Sequence, residues 1–186
     1  MSELWVVRHG TTEWSANGRH TSTTDLPLLP EGEEVARALG PRLADGGFAR
    51  VLTSPRLRAR RTAELAGFPD AEVDDDLVEW AYGDYEGTTT AEIREHTPGW
   101  TIWTHPVPGG ETAAQVGARL DRVVASAREA DGRTLVFGHG HALRALAARW
   151  LGLPVGDGRF FKLDTATLSV LGHEREHPAL LLWNAP

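Results

Sequence analysis

The sequence predicts an α/β fold, a three-layer α/β/α sandwich around a mainly parallel sheet, in one domain over residues 1–186. Short apolar segments of strand character alternate with segments of helical periodicity, which is the order that builds parallel sheets. The length of 186 residues matches one domain. The last predicted strands follow one another without a helix, so at least one strand is expected to be antiparallel.

The first half of the chain contains two predicted strands, each followed by a helix. Leu4–Val7 is a short apolar run rich in β-branched residues, which is typical of a buried strand. Pro30 suits the first turn of a helix whose apolar face continues to position 43, and Pro41 is expected to kink or shorten it. Val51–Thr53 predicts the second strand. Ser54–Gly67 predicts the next helix, with a serine cap and a proline in its first turn.

The second half begins with loops and then returns to alternating elements. We expect one or two helical turns at Thr90–Glu95 and a loop at Pro98–Gly110, which has three prolines and three glycines. Apolar residues at helical spacing predict a helix at Thr112–Ala130, followed by a strand at Thr134–Phe137 and a helix at Ala142–Leu151. The final predicted strands are Phe160–Leu163, Thr167–Leu171 and Leu180–Trp183.

Composition limits the classes of function. The formal net charge of −7 argues against a surface for nucleic acids or anionic membranes, which needs clustered basic residues. The chain has no cysteine, which excludes disulfides, thiolate metal sites and a cysteine nucleophile. The sequence has neither a signal-peptide pattern nor an apolar run of the roughly 20 residues that cross a bilayer, so we expect a cytoplasmic protein.

Two histidines stand just after predicted strands, and each is followed by a glycine. His9 follows the first strand and His139 follows the third. Ligands of open α/β sheets bind beyond the carboxyl ends of the strands, so the two imidazoles would share one pocket if these strands are neighbours. Gly10 and Gly140 allow the backbone to approach a ligand closely. A single histidine after a strand is more often structural, but two in the same setting, one beside Arg8, favour a functional site.

The helix predicted after the second strand opens with four arginines in six residues. On a chain of negative net charge, this segment supplies the local positive charge that an anionic substrate needs. The ordinary interpretation is a solvated helix face, which we expect to hold for Arg56, Arg60 and Arg61. At least one arginine of this segment can nevertheless reach over the same sheet edge, where its planar guanidinium fork would bind phosphate oxygens in pairs.

These residues resemble the histidine phosphatase superfamily, which includes the cofactor-dependent phosphoglycerate mutases. The motifs that carry the resemblance are Arg8–Gly10, Arg58, Glu79 within Leu77–Gly87, Pro108–Thr112 and Gly138–Gly140. Each tripeptide alone is weak, but the ordered set is specific and spans nearly the whole chain. The resemblance implies a phosphoglycerate mutase-like fold.

The resemblance also implies a role for each residue of the site. His9 would be the nucleophile that captures the phosphoryl group, and Arg8 and Arg58 would hold its oxygens. His139 would complete the pocket, and Glu79 would donate a proton to the leaving group. The chemistry suits these residue types, because covalent capture by a neutral imidazole divides one difficult displacement into two easier ones. Fixed cations stabilise the charge on the transferring phosphoryl group.

The segment Glu13–Asp25 resembles the substrate loop of this family, with departures. Thr11, Ser15 and Ser22 stand where glutamate or glutamine, asparagine and glycine are usual. Ser15, Thr21 and Ser22 can still donate hydrogen bonds to phosphate, and the alternative is an ordinary polar loop. The predicted substrate-binding residues are Gly10, Ser15, Thr21, Ser22, Tyr82 and Gly140. Weaker candidates are His20, His105 and His141, and the histidines expected to face solvent are His96, His173 and His177.

The predicted function is hydrolysis of small phosphomonoesters, sugar phosphates among them, through a phosphohistidine and without a metal or cofactor. The second candidate is a cofactor-dependent phosphoglycerate mutase. Mutases of the family carry a longer insertion between the positions of Glu79 and His139, with extra lysine and arginine clamps for a second phosphate. In this chain the interval is short and Thr88–Thr90 offers no lysine, so a water-accessible pocket and hydrolysis are favoured.

Two further alternatives stay open. His139 and His141 could form a metal-binding pair, but hydrolases with such a pair need further histidine and aspartate ligands around a barrel of about 250 residues. A phosphate-sensing or scaffold domain would keep the pocket without turnover, although every predicted catalytic residue is present. The expected partner is a small phosphorylated substrate, and the oligomeric state is open, with a homodimer as one alternative.

Overall fold

The computed structural model describes residues 2–186, which form a six-stranded sheet with helices on both faces. The strands are β1 (Glu3–Arg8), β2 (Phe48–Thr53), β3 (Glu72–Val73), β4 (Arg133–Gly138), β5 (Leu168–Glu174) and β6 (His177–Ala185). The α-helices are α1 (Glu13–Asn17), α2 (Pro30–Ala38), α3 (Gly40–Leu43), α4 (Leu57–Leu65), α5 (Thr90–His96), α6 (Ala113–Glu129) and α7 (Gly140–Trp150). Short 3-10 helices cover Asp75–Leu77, Gly83–Tyr85 and Val155–Phe160.

The strand order is β3-β2-β4-β1-β5-β6, with β1 and β4 in the middle. β1, β2, β3 and β4 are parallel where they pair. β5 runs antiparallel to β1, and β6 runs antiparallel to β5. The prediction of a mainly parallel sheet with at least one antiparallel strand is therefore confirmed.

Two apolar cores lie on opposite faces of the sheet. Leu4 and Val6 of β1 belong to one core with residues of α6 and α7, whereas Val7 belongs to the other with residues of α3 and α4. Neighbouring side chains of a strand point to opposite faces, so a strand buried on both sides reads as a continuous apolar run. The three-layer architecture predicted from these runs is confirmed.

The helix predicted to start at Ser54 begins later, at Leu57, and ends at Leu65. Arg56 occupies the cap position without a side-chain hydrogen bond. The predicted serine cap was wrong because the hydroxyl of Ser54 is bonded to Nε2 of His139 at 2.7 Å. A long-range contact thus replaced a local one.

The strand predicted at Phe160–Leu163 was also wrong. Phe160 ends a 3-10 helix and is 69% exposed, and the residues that follow belong to no sheet. The backbone carbonyl groups there accept hydrogen bonds from side chains instead of from a neighbouring strand. The carbonyl of Leu163 accepts from Arg8, and the carbonyl of Lys162 accepts from the indole of Trp183.

Smaller differences concern the bounds of the elements. Pro41 divides the helix predicted after Pro30 into α2 and α3, as its missing N–H requires. The two-residue strand β3, Glu72–Val73, was not predicted, since both residues are exposed and carry no strand pattern. α7 begins at Gly140, two residues before the predicted start. No helix within residues 2–186 is long and apolar enough to span a membrane.

Candidate active site

The carboxyl ends of β1 and β4 bring His9 and His139 together. The strands are parallel neighbours with Arg8 opposite Gly138, and the N–H of His9 donates to the carbonyl of Gly138 at 3.0 Å. The centroids of the two imidazole rings are 5.3 Å apart. Both rings therefore lie at one sheet edge, as the two strand-histidine-glycine patterns predict.

His9 has one ring nitrogen tied to the backbone and one available. Its Nδ1–H donates to the carbonyl of Gly10 at 2.7 Å, which leaves the lone pair on Nε2. The ring is 5% exposed and lines the cavity described below. Burial, with the charges of Arg8 and Arg58, lowers the pKa of His9 well below its usual value, so the ring is neutral at neutral pH. A neutral imidazole in this orientation can act as a nucleophile.

The backbone around His9 is held from three directions. A Cβ atom on Gly10 would lie 2.4 Å from the carbonyl oxygen of Gly32 in α2, so glycine is required here by packing. The N–H of Gly10 donates to the hydroxyl of Thr62 in α4 at 3.0 Å. The N–H of Ala166 donates to the two carbonyls before Gly10, at 3.0 and 3.2 Å. Gly10, predicted to contact substrate, does not line the cavity.

His139 has both ring nitrogens engaged inside the protein. Nδ1 accepts from Nε of Arg58 at 3.2 Å, so the ring proton is on Nε2 and is donated to the hydroxyl of Ser54 at 2.7 Å. Burial, Arg58 and His9 together lower the pKa of His139 well below its usual value. His139 is therefore a neutral ring of defined tautomer that holds Arg58 beside His9.

Arg58 is fully buried and is enclosed by carbonyl oxygens of the substrate loop. Nη1 donates to Thr24, and Nη2 donates to Thr21 and Ser22, at 3.0–3.3 Å. With Nε on His139, four of its five N–H donors are satisfied. Burial lowers the pKa of Arg58, while Glu79 opposes this shift. The position of the guanidinium thus depends on the conformation of the loop at residues 21–24.

Glu86 fixes this loop from the opposite side. Its carboxylate accepts from the N–H and the hydroxyl of Ser22 and from the N–H of Thr24. Burial alone would raise the pKa of Glu86, but these hydrogen bonds together outweigh it and lower the pKa. Glu86 therefore orients the carbonyl groups that hold Arg58. The segment 77–87 was recognised in the sequence, but this function of Glu86 was not.

Arg8 lies against the other side of His9. Its Nη1 donates to the carbonyl of Leu163 at 2.6 Å, whereas its Nε is buried without a hydrogen-bond partner among residues 2–186. A Cβ atom on Gly140 would lie 3.3 Å from Cζ of Arg8, so glycine leaves room for the guanidinium. A buried donor without a partner is costly unless a ligand accepts from it. Arg8 is therefore suited to bind an anion in front of His9.

Glu79 closes the amino end of α7. Its carboxylate accepts from the N–H groups of His141 and Ala142 at 3.0 and 2.7 Å, and from that of Trp80 at 2.8 Å. Anionic groups are favoured at helix amino termini, which explains why the carboxylate lies here while being 6% exposed. It also lines the cavity together with Arg8 and His9.

Tyr82, His141 and His20 form an aromatic wall next to this centre. The hydroxyl of Tyr82 is 2.5 Å from Nδ1 of His141, and the ring of Tyr82 is 4.7 Å from that of His20. Burial lowers the pKa of His20 to about 4 and that of His141 well below its usual value. Both histidines, weaker candidates from the sequence, therefore line the cavity as neutral rings.

A cavity of about 260 Å³ lies over these residues. Of the predicted substrate-binding residues, Ser15, Thr21, Tyr82 and Gly140 line it. The hydroxyl of Ser15 bonds to the backbone of Thr12, and that of Thr21 donates to Arg19. Ser22 does not line the cavity, because its hydroxyl is engaged by Glu86 and by the N–H of Tyr82.

Six further lining residues were not individually assigned to a site from the sequence. Among them are Trp14, Arg19, Thr90 and Arg144, and the other two are Gly18 and Leu163. The position of Arg144 was available from the sequence, because it lies four residues after Gly140 on the same face of a predicted helix. The backbone of Arg19 pairs with that of Thr89 because the substrate loop folds against the start of α5, which no local pattern shows.

The remaining histidines lie away from the centre. His96 and His177 are exposed as expected, whereas His173 was wrongly expected to face solvent and packs half-buried on Trp150. Nδ1 of His105 bonds to the hydroxyl of Thr104. Within residues 2–186 no three His, Asp or Glu side chains are grouped so as to hold a metal ion. His139 and His141 have separate partners, so they do not form the metal-binding pair considered above.

The protein has a mainly parallel three-layer fold, with two histidines and two arginines at one sheet edge. Comparison with known proteins identifies the family that has this fold. Residues 4–186 match the family model of the histidine phosphatase superfamily, branch 1. The chain belongs to this superfamily, and the fold, enzyme class and phosphatase function expected from the resemblance are confirmed.

Similar proteins include proteins named as phosphatases. An acid phosphatase of Mycobacterium tuberculosis is 43% identical over 175 residues, which cover 92% of this chain and 86% of that protein. A sedoheptulose 1,7-bisphosphatase of Saccharomyces cerevisiae is 42% identical over 183 residues, covering 81% of this chain and 68% of that protein. The solved structure of an open reading frame product of Mycobacterium tuberculosis superposes with a TM-score of 0.95 at 40% identity, over 99% of this chain and 97% of that one.

Proposed function

We propose that this protein hydrolyses phosphomonoesters of small metabolites, sugar phosphates among them, by transferring the phosphoryl group to His9 and then to water. The observation that carries the proposal is the orientation of His9. Its Nδ1–H is bonded to the carbonyl of Gly10, so Nε2 keeps its lone pair, in a cavity that Arg8 also lines. The relatives named as an acid phosphatase and a sugar bisphosphatase support this substrate class.

In the first step Nε2 of His9 attacks phosphorus and the bond to the ester oxygen breaks. The guanidinium of Arg8, whose Nε has no partner within residues 2–186, would donate a hydrogen bond to a phosphoryl oxygen. Arg58 adds a second positive charge and one unused N–H, and His139 keeps it in place. Fixed positive groups of this kind are the main source of catalysis in phosphoryl transfer.

The leaving oxygen needs a proton, and Glu79 is the proposed donor. Its carboxyl group lines the cavity beside Arg8 and His9. In the second step water attacks the phosphohistidine, the P–N bond breaks, and inorganic phosphate leaves with His9 regenerated. General acid catalysis of this type typically contributes about 10²–10⁴-fold.

The direct test is to trap the intermediate. The protein is mixed with a ³²P-labelled phosphomonoester, quenched in alkali within milliseconds, and digested to locate the label. We expect one labelled peptide, with alkali-stable and acid-labile phosphate on His9. Turnover without a phosphorylated protein, or label on another residue, would contradict the mechanism.

Two controls separate this function from the alternatives. Hydrolysis is measured with excess chelator, since we propose that no metal takes part and expect activity to persist. 3-Phosphoglycerate is then supplied with and without its bisphosphorylated cofactor. Release of inorganic phosphate supports the phosphatase, whereas formation of 2-phosphoglycerate that depends on the cofactor would indicate a mutase. No release from any phosphomonoester would favour a phosphate-sensing domain.

A further inference from the structure

The guanidinium of Arg8 is bonded to the peptide group that joins Leu163 to Asp164. Its Nη1 donates to the carbonyl of Leu163 at 2.6 Å. The N–H of the same peptide group, on Asp164, donates to Oδ1 of Asn184 at 2.7 Å. A peptide group is planar, so a bond that holds its N–H also restricts the direction of its carbonyl. Asn184 therefore orients the carbonyl that Arg8 contacts.

Both ends of the Asn184 side-chain amide bond to Asp164. While Oδ1 accepts from the backbone N–H, Nδ2 donates to Oδ2 of the carboxylate at 2.9 Å. The same carboxylate oxygen accepts from Nζ of Lys162, but that side chain is 81% exposed, and exposed ion pairs contribute little. The two bonds to Asn184 thus hold the peptide group on the side opposite Arg8.

Asn184 itself is held in an uncommon backbone conformation near the end of β6. Its φ of 55° lies in the left-handed region, which asparagine adopts more readily than most residues with a side chain. Its N–H donates at 2.9 Å to the hydroxyl of Ser169, which is fully buried in β5. Such a conformation persists only where the surrounding contacts hold it. Here these contacts hold the residue whose side-chain amide bonds to Asp164.

The segment that Asn184 holds also contacts the backbone at the end of β1. Ala166, which has a φ of 53°, donates its N–H to the carbonyls of Arg8 and His9 at 3.0 and 3.2 Å. The remaining non-glycine residue with positive φ within residues 2–186 is Arg175, in the exposed turn between β5 and β6. Two of the three uncommon backbone conformations therefore belong to the contacts that support Arg8 and His9.

We propose that Asn184 is a positioning residue for Arg8 in phosphoryl transfer. It acts through the peptide group between Leu163 and Asp164, since Asn184 does not line the cavity. The partner of Nη1 fixes the orientation in which Nε of Arg8, buried without a partner among residues 2–186, meets a phosphoryl oxygen. Donors that are oriented before the reaction stabilise the transition state without a cost of reorganisation. The inference rests on the proposed phosphatase function.

The first experiment removes the amide and keeps the backbone conformation. Asn184→Gly tolerates positive φ but cannot bond to Asp164. We expect kcat for p-nitrophenyl phosphate to fall roughly tenfold, because Arg8 is no longer held in one orientation. Binding of orthovanadate, a mimic of the transferring phosphoryl group, should weaken in parallel when measured by calorimetry. Arg175→Gly, a matched control at the same φ, should change neither quantity.

A double-mutant cycle tests whether the effect passes through Arg8. Activities are measured well below the thermal midpoint of each variant, so that a loss of stability alone does not lower kcat. In an Arg8→Ala background, Asn184→Gly should lower kcat by less than about twofold, because the group that it positions is already absent. A full tenfold loss in that background would show that Asn184 acts by another route and would overturn the inference.

A second pair of variants keeps a side chain at both positions. Asn184→Asp places one carboxylate against another and should lower kcat as Asn184→Gly does. Adding Asp164→Asn exchanges donor and acceptor between the two side chains and should restore kcat to within about threefold of the wild type. Failure of this restoration would overturn the inference, and it provides the test if Asn184→Gly does not fold.

The outcomes separate the positioning role from the proposed function. Unchanged kcat and vanadate affinity in Asn184→Gly overturn the positioning role and leave the phosphatase function intact. A wild type that hydrolyses no phosphomonoester contradicts the function, while the vanadate affinities of the wild type and Asn184→Gly still test the positioning of Arg8. A wild type that neither turns over substrate nor binds vanadate overturns both.

Discussion

At the carboxyl ends of the central strands, Arg58 and His139 are held by groups far away in sequence. In the substrate loop, by contrast, the hydroxyl groups of Ser15 and Thr21 are held by near neighbours. Arg58 contacts residues 34 to 81 positions away, and His139 contacts one 85 positions away. The hydroxyl groups of Ser15 and Thr21 bond to backbone atoms two or three residues away. Side chains such as Arg58 are held in place only when the whole fold is formed, because their partners come from distant segments. The loop hydroxyl groups keep their partners when the loop moves, because those partners belong to the loop itself.

The difference indicates that one part of the cavity serves phosphoryl transfer and the other part binds the rest of the substrate. Charge develops at the phosphoryl group in every reaction, so the cations there gain from being held before the substrate arrives. The remainder of the substrate varies, and residues on loops can change without disturbing the centre. We therefore expect changes at the His9 end to affect kcat strongly and changes at the loop end to affect mainly KM.

The largest effect is expected for His9→Ala. Loss of the proposed nucleophile should lower kcat by at least about 10⁴-fold, because the phosphoryl group then has no acceptor at the position beside Arg8. Circular dichroism and the thermal midpoint should change little, since His9 makes one side-chain hydrogen bond. His177→Ala, at an exposed histidine, is the control. A variant with appreciable turnover would show that His9 is not the nucleophile.

Arg58→Lys is expected to lower both kcat and stability. Lysine keeps the charge but cannot bond to His139 and three loop carbonyls in the same plane. We expect kcat to fall roughly 10²–10³-fold and the free energy of unfolding to fall by about 2–4 kcal/mol. Steady-state kinetics and urea unfolding measure the two effects. Arg60→Lys, on the exposed face of α4, should change neither. An equal effect there would contradict the view that the hydrogen bonds of Arg58 are specifically needed for kcat and stability.

Glu86→Gln tests whether the position of the Arg58 guanidinium depends on the conformation of the loop at residues 21–24. An amide can accept only part of the hydrogen bonds from Ser22 and Thr24, so the carbonyl groups around Arg58 should shift. We expect kcat to fall roughly 10- to 100-fold with a smaller change in KM, because Arg58, the proposed contact of the reacting phosphoryl group, would be misplaced. Glu95→Gln is an exposed control. A change in KM alone would show that Glu86 affects substrate binding and not the chemical step.

The pH profile tests the environment of His9. A histidine of ordinary pKa would be protonated at pH 5, with a loss of nucleophile of about 30-fold. Burial and the two arginines lower the pKa of His9, so the neutral form persists as the pH falls below 6.5. We expect kcat/KM for an aryl phosphate, corrected for substrate ionisation, to stay within about threefold between pH 7 and 5. An acid limb centred near pH 6.5 would contradict this assignment, as would an optimum above pH 9.

The smallest effect is expected for Ser15→Ala. Its hydroxyl caps a short helix through Thr12, and the loop can adjust to its loss. We expect kcat to change by less than about threefold, with any larger change confined to KM. Thr12→Ala, which removes the other half of the same cap, serves for comparison. A loss in kcat of a hundredfold would mean that the loop end takes part in the chemistry.

Much of the fold could be predicted because its strands are short buried runs with clear helices between them. Leu4–Val7 and Thr134–Phe137 were placed correctly because β1 and β4 are buried on both faces. The strand predicted at Phe160–Leu163 failed because Arg8 and Trp183 bind its carbonyl groups, and those donors lie over 20 residues away. The start of α4 failed for the same reason, since His139 competes for the hydroxyl of Ser54.

The candidate site shows the same limit. His9 and His139 were found because each follows a strand, and the fold aligns strand ends without any further information. Glu86 was not found, since its role comes from contacts between loops. Ser22 was assigned to substrate by its place in the loop, although Glu86 engages its hydroxyl. A pattern in the sequence shows which residue types are present but not which partners they take.

The place of β1 in the sheet has a consequence for the order of folding. The strand that carries His9 is made first, yet both of its strand neighbours, β4 and β5, come from beyond residue 132. The N–H of Ala166 is also needed to hold the carbonyl of His9. During synthesis the first strand must therefore remain unpaired until most of the chain has emerged from the ribosome. The proposed active site is therefore complete only after β4 and β5 have been made, and a chain that stops before β4 carries His9 without the strands that hold it.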